Sequence, residues 1–195
     1  DKLDGSKVFA ADLRLPGMLC AAIKDCPVFG GKLVSFDDSK IKTLRGVRGA
    51  VRVDDSSVAV VADTWWRAKN ALEQLPVVWN EGPNASASSA LIAAHLKDAL
   101  TAPGDYAGRK EGDALKAIAG AAKKVEATYG SPFLAHATME PMNCTARVTA
   151  DRAEAWVPTQ NGEASHAALA AATGFPLDRC EIYKMDLGGG FGRRG

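Results

Sequence analysis

The chain lacks what announces most function classes. It holds 4 cysteines and 3 histidines in 195 residues. Cys20, Cys26, Cys144 and Cys180 form no Cys-x-x-Cys pair and have no companion histidine at zinc spacing, so they read as core thiols rather than as a metal module or a disulfide scaffold. No apolar run approaches the roughly 20 residues of a membrane span, and Asp1-Lys2-Leu3-Asp4 has neither the basic nor the apolar region of a leader, so the chain reads as soluble as it stands. Charge of one sign is lacking too: 24 basic residues face 23 acidic ones, and they are scattered. That excludes the footprint of a nucleic-acid or anionic-membrane binder. No serine, histidine and acid stand in a triad pattern. What is plentiful is apolar residue, at 47%, and glycine, with 19 residues, enough to build one generous domain or two small ones.

Residues 18–23, 32–36 and 50–53 are short β-prone stretches divided by turns at Pro16-Gly17, Gly30-Gly31 and Gly46. The continuous apolar run 58–62 predicts a strand covered on both faces. Asp63-Thr64 then offers N-cap oxygens, Trp65, Ala68, Leu72 and Leu75 recur at helical spacing, and Pro76 stops the helix before a strand at 77–79. Residues 82–89 are poor in apolar bulk and read as an exposed linker, followed by a helix over 90–100. Beyond it, the pattern predicts a helix at 113–121, a strand at 123–130 and a hairpin of 143–148 with 152–157. A helix at 164–172, ended by Gly174, and a strand at 180–187 complete the series.

The terminal run Gly188-Gly189-Gly190-Phe191-Gly192-Arg193-Arg194-Gly195 is the most informative feature. Three glycines in a row remove every Cβ, admit backbone angles closed to other residues and let successive N–H groups approach an anion or cofactor oxygen. Phe191 offers an apolar wall, and Arg193 and Arg194 offer charge-assisted hydrogen bonds to phosphate or carboxylate. The bland alternative is a flexible turn. The run is not a P-loop, which needs Gly-Lys-Ser/Thr, nor a dinucleotide fingerprint, which needs a following helix and a later acidic residue.

Two further clusters stand out. His136 and Glu140 are four apart, but Pro141 and the β-prone surroundings argue against a helix and so against a zinc motif; loop-fixing hydrogen bonds are the first reading and catalysis the second. Pro158-Thr159-Gln160-Asn161 lies where a strand gives way to a helix and suits either helix capping or a ligand. The tryptophans at 65, 66, 79 and 156 suit a core or an interface.

The order of these motifs carries a family likeness over nearly the whole chain. Gly5-Ser6-Lys7-Val8-Phe9, Leu15-Pro16-Gly17-Met18-Leu19, Val28-Phe29-Gly30-Gly31, Gly46-Val47, Val60-Val61-Ala62-Asp63, His136 with Met139-Glu140-Pro141, Thr159-Gln160 and the glycine run resemble the xanthine oxidase family. Phe29-Gly30-Gly31 and the double arginine resemble its branch of isoquinoline 1-oxidoreductases and membrane-linked aldehyde dehydrogenases.

The resemblance implies an α+β chain: an α/β hammerhead domain at 1–82, a linker and connecting helix at 83–111, and the N-terminal part of a molybdopterin-binding domain at 112–195. It implies a molybdenum-molybdopterin cofactor, in the cytosine dinucleotide form, in the full-length protein. It also implies a [2Fe-2S] small subunit, a cytochrome c acceptor, and hydroxylation of an aldehyde or N-heterocycle with water-derived oxygen. Gly189, Gly190, Phe191, Gly192 and Arg193 correspond to the cofactor-binding loop, and no residue here is expected to ligate a metal directly. The family's catalytic glutamate is expected downstream of Gly195, so this stretch alone is expected to hold no molybdenum and to be inactive. Many relatives have glutamine two residues before the histidine where this chain has Leu134, which puts the substrate and oxo-ligand contacts in question. Two rival readings are a noncatalytic module that holds a partner subunit and a small nucleotide-binding protein built on the glycine loop.

Overall fold

The computed structural model describes residues 1–104, 106 and 108–195. By contacts it divides into two compact units, Gly17–Glu126 and a discontinuous one of Asp1–Pro16 with Ala127–Gly195. The division expected from sequence kept residues 1–16 with the first unit. They join the second because Ala11 N–H donates to Glu140 Oε1 at 3.1 Å and Lys7 Nζ lies 2.5 Å from Asp186 Oδ2.

In the unit Gly17–Glu126 the elements are β1 (Cys20–Asp25), β2 (Lys32–Phe36), β3 (Val47–Arg52), β4 (Ser57–Ala62), α1 (Trp65–Gln74), β5 (Val77–Asn80), α2 (Ser89–Ala99) and α3 (Ala114–Ala119). β4 is the centre of an antiparallel sheet with β1 and β3 on its flanks, while β2 pairs with β5. As the apolar run implied, every residue of β4 but Val61 is buried. Thr64 caps α1 by accepting from Arg67 N–H, and Ala68, Ala71, Leu72 and Leu75 turn inward onto Ile41, Val58 and Val60. Ala71 takes the inner place that spacing gave to Trp65. The indole of Trp65 is instead half exposed, with the Lys69 ammonium 5.4 Å from its ring centroid.

α2 and α3 form behind side-chain caps from Ser88 and Asp113, yet bury no residue. Residues 82–89 are exposed, as expected of a linker. The strand expected at 123–130 does not form: these residues are all exposed and have no neighbouring strand to pair their backbone groups. Among the described residues, no helix is long and apolar enough to cross a membrane.

The second unit is built on β6 (Thr145–Val148), β7 (Ala153–Val157), α4 (Gly162–Thr173) and β8 (Cys180–Lys184). β6 and β7 make the expected hairpin, and α4 then carries the chain across to β8, which lies parallel to β7. Gly174 ends α4 in the left-handed region at φ 74°, which glycine adopts without a Cβ penalty. One face of β7 buries Ala153 and Ala155. The other buries Glu154, which accepts from Arg147 Nε at 2.7 Å, from the Tyr183 hydroxyl at 3.1 Å and from Arg152. Trp156 stacks on Tyr183 with ring centroids 4.9 Å apart.

Candidate functional site

The carboxyl ends of β7 and β8 are side by side, and both motifs found by composition leave the sheet there. In open α/β arrangements this edge is where backbone groups emerge unpaired and where ligands bind. After β7, Asn161 Oδ1 accepts from Ala164 N–H and caps α4. Thr159 is buried, its hydroxyl donating to the Arg194 carbonyl at 3.1 Å and accepting from Asn161 N–H at 2.9 Å. Gln160 N–H donates to Arg194 O at 2.7 Å, and Gln160 Oε1 accepts from Gly192 N–H at 3.0 Å and Arg194 N–H at 3.4 Å. The cluster therefore caps a helix and grips the glycine run.

The run itself is a shaped loop. Gly188 and Glu140 exchange hydrogen bonds, Gly188 N–H to Glu140 Oε2 at 3.0 Å and Glu140 N–H to Gly188 O at 3.1 Å. A Cβ on Gly190 would come within 2.7 Å of Gln160 Cδ, and one on Gly188 would strike Glu140 Cβ. Arg193 N–H donates to Gly190 O at 2.9 Å and closes the turn. Gly189 and Gly192 have φ of 106° and 78°, and Phe191 is held at φ 49°, a conformation that costs a non-glycine residue about 1 kcal/mol or more. Among the described residues nothing accepts from the N–H groups of Gly189, Gly190 and Phe191. Three consecutive donors are thus left open, beside a Phe191 ring that is 69% exposed.

Glu140 and Arg194 lie beneath this loop. Arg194 is 6% exposed and Glu140 9%. Arg194 Nη2 stands 3.2 Å from Glu140 Oε2 and donates to the Glu140 carbonyl at 2.5 Å, while Nη1 donates to Pro158 O at 3.4 Å. Glu140 Oε1 accepts from Ala11 N–H and from Asn143 Nδ2 at 3.2 Å. Burial pushes the Glu140 carboxyl up. The hydrogen bonds from Gly188, Asn143 and Ala11 and the Arg194 charge outweigh burial and hold it below the ordinary glutamate value.

Leu134, His136, Thr138, Met142 and Arg193 line one cleft of about 500 Å³. His136 and Arg193 therefore line the same cleft, whereas His136 and Glu140 do not act together on a helix: Glu140 is buried and His136 opens to the cleft. Gly192, read from sequence as a cofactor contact, donates its N–H to Gln160 Oε1 and has a φ of 78°. Glu140 fixes a loop by hydrogen bonding, the first of the two readings its sequence context suggested; that its partner is Arg194, 54 positions away, was not visible in the motif. Among the described residues no group of His, Cys, Asp and Glu is placed to hold a metal ion. An oxygen-rich anionic group fits the loop, because three successive N–H groups have no acceptor among the described residues and two of them, at Gly189 and Gly190, belong to residues without a Cβ.

Residues 99–195 match the molybdopterin cofactor-binding domain family. Over 98% of its length the chain is similar to one of the subunits of nicotinate dehydrogenase from Pseudomonas putida, at 28% identity, covering 17% of that protein. It is 27% identical over 99% of its length to the beta subunit of isoquinoline 1-oxidoreductase from Brevundimonas diminuta, covering 26% of it. The chain thus spans 17% and 26% of these two relatives. Quinoline 2-oxidoreductase from Pseudomonas putida 86 shares the fold, with a TM-score of 0.73 at 22% identity over 99% of this chain and 30% of that one.

Proposed function

Since the chain belongs to the xanthine oxidase family of molybdopterin-binding subunits, we propose that it forms one wall of the cofactor site in a molybdenum hydroxylase. The observation that carries this reading is the row of open N–H groups at Gly189, Gly190 and Phe191, at the carboxyl ends of two parallel strands. The bound molybdenum-molybdopterin, in its cytosine dinucleotide form, supplies hydroxylation with water-derived oxygen at an electron-poor carbon. Gly189, Gly190 and Phe191 hold its oxygen ligands by backbone donation, Gly192 provides the left-handed turn that aims those donors, and Arg193 places a cation at the edge of the cleft.

The substrate class is an N-heterocycle or an aldehyde, in keeping with the names of similar proteins: nicotinate dehydrogenase, isoquinoline 1-oxidoreductase and a membrane-bound aldehyde dehydrogenase. Leu134 brings no hydrogen-bonding group to the cleft, and with Met142 it offers an apolar bed suited to a flat ring. Electrons leave to a [2Fe-2S] subunit and onward to a cytochrome c. The hammerhead domain is assigned to β1–β5 with α1, and the molybdopterin-binding domain to the unit built on β6–β8.

The test is made on the full-length gene product purified from its own host. Molybdenum content is measured, together with oxygen-18 transfer from water into a hydroxylated N-heterocycle or a carboxylic acid. The expected result is near-stoichiometric metal and labelled product. Gly190→Val should lower metal content at least tenfold, because its side chain collides with Gln160. A wild-type protein with neither metal nor labelled product sinks the reading.

A further inference from the structure

We propose that Glu140 and Arg194 are positioning residues: a buried ion pair that latches the glycine loop in the conformation that leaves the N–H groups of Gly189, Gly190 and Phe191 without an acceptor among the described residues. This rests on the cofactor reading above for its purpose, but the latch itself is a property of the protein. A buried ion pair is a poor device for stability alone, since desolvation consumes most of the attraction and apolar side chains of like volume serve as well or better. Its worth lies in specificity of geometry, and the contacts here have that character. One carboxylate oxygen of Glu140 takes Gly188 N–H and Arg194, and the other takes Ala11 N–H and Asn143 Nδ2. The entry of the loop at Gly188 and its exit at Arg194 are thereby tied to a single side chain.

Two further observations fit a latch better than a core contact. Arg194 Nε is buried with no hydrogen-bond partner among the described residues, so the guanidinium is held where its own hydrogen bonding is incomplete. A side chain serving only its own satisfaction would not be left so. Between the two anchors the loop holds Phe191 in the left-handed region at φ 49°, a conformation that a non-glycine residue keeps only when its surroundings over-determine it. Gln160 Oε1 supplies the third anchor, at Gly192 and Arg194. Loss of the pair unties Gly188 N–H and the Arg194 side chain, and leaves the loop to the backbone bond at Gly188 O and to Thr159 and Gln160 at Arg194.

The experiment uses the full-length protein, prepared with cofactor and also without it from a host that makes none. Glu140→Gln and Arg194→Lys are compared with Glu154→Gln, which disturbs an equally buried carboxylate of the same unit away from the loop. Amide hydrogen exchange over 186–195 is read in the cofactor-free protein, molybdenum content in the loaded protein and the thermal midpoint in both. The expected result is at least tenfold faster exchange at Gly188 and Gly192 and at least fivefold less molybdenum for the two latch variants. Glu154→Gln should lower the midpoint while leaving both readouts near wild type. Unchanged loop exchange in Glu140→Gln and Arg194→Lys overturns the latch. So does an equal loss of loop protection in Glu154→Gln, which would make the effect one of general stability. If Glu140→Gln does not accumulate, Arg194→Lys decides alone, because it keeps the charge and removes only the planar fork. A wild type without molybdenum defeats the cofactor reading and leaves the exchange comparison to judge the latch by itself.

Discussion

The two units of this chain are held together by opposite means. In Gly17–Glu126 the interior is a continuous apolar cluster, with Ile41, Val58, Val60, Ala62, Ala68 and Ala71 all excluded from water. In the unit of Asp1–Pro16 with Ala127–Gly195, the buried apolar residues are small ones, Ala10, Ala153, Ala155, Pro158 and Cys180. Glu140, Glu154, Thr159 and Arg194 lie as deep as these. Apolar packing is tolerant: any side chain of about the right size fills the place. A charged interior is not, because each group needs its partner at hydrogen-bond distance and loses several kcal/mol without it. The tolerant construction supports the fold and the intolerant one surrounds the glycine loop, so the loop stands where geometry is most tightly specified.

The largest effect that would sharpen this contrast is Ala68→Asp. Ala68 is wholly buried on the inner face of α1 within the apolar cluster, so the change should cost on the order of 4 kcal/mol, read as a lowered denaturation midpoint of the unit Gly17–Glu126. A midpoint within error of wild type would show that this interior tolerates charge as the other one does.

Acid should discriminate next. Glu140 and Glu154 both titrate below the ordinary glutamate value of 4.5; burial works against this in each, and the bonds from Gly188, Asn143 and Ala11, or from Arg147, Arg152 and Tyr183, prevail. Carboxylates lowered in the folded state add stability that is complete above the unfolded value and is lost as pH falls through the folded one. Hydrogen exchange, corrected for its intrinsic pH dependence, should therefore rise over 140–160 and 186–195 below pH 4.5 while β4 and α1 stay protected. Simultaneous loss in both units would break the comparison. The smallest effect is Thr64→Ala, which removes the α1 cap and should cost about 1 kcal/mol in urea unfolding.

The same contrast explains what was legible beforehand. The run at β4, the Thr64 cap, the Pro76 stop and the Gly174 terminator are local signals, and each marks an element that forms within a residue or two of its expected place. The glycine run and the Thr159-Gln160 cluster were visible as composition, because few residue types suit such backbone. What composition could not display was pairing at long range. Glu140 meets Ala11 across 129 positions and Arg194 across 54, and neither residue type has a pattern that announces its partner. The strand expected at 123–130 failed for the same reason in reverse. Its residues suit a strand, but no neighbour comes to pair with it.

The bond from Ala11 to Glu140 also sets a clock. It joins residues 129 positions apart, with all of Gly17–Glu126 threaded between them. At translation rates of about 5–20 residues per second, the first segment waits roughly 6–26 s after synthesis for its counterpart. During that interval the intervening apolar unit already has its whole chain. Newly made protein thus passes through a stage in which the intervening unit has its whole chain while Ala11 N–H still lacks its carboxylate acceptor.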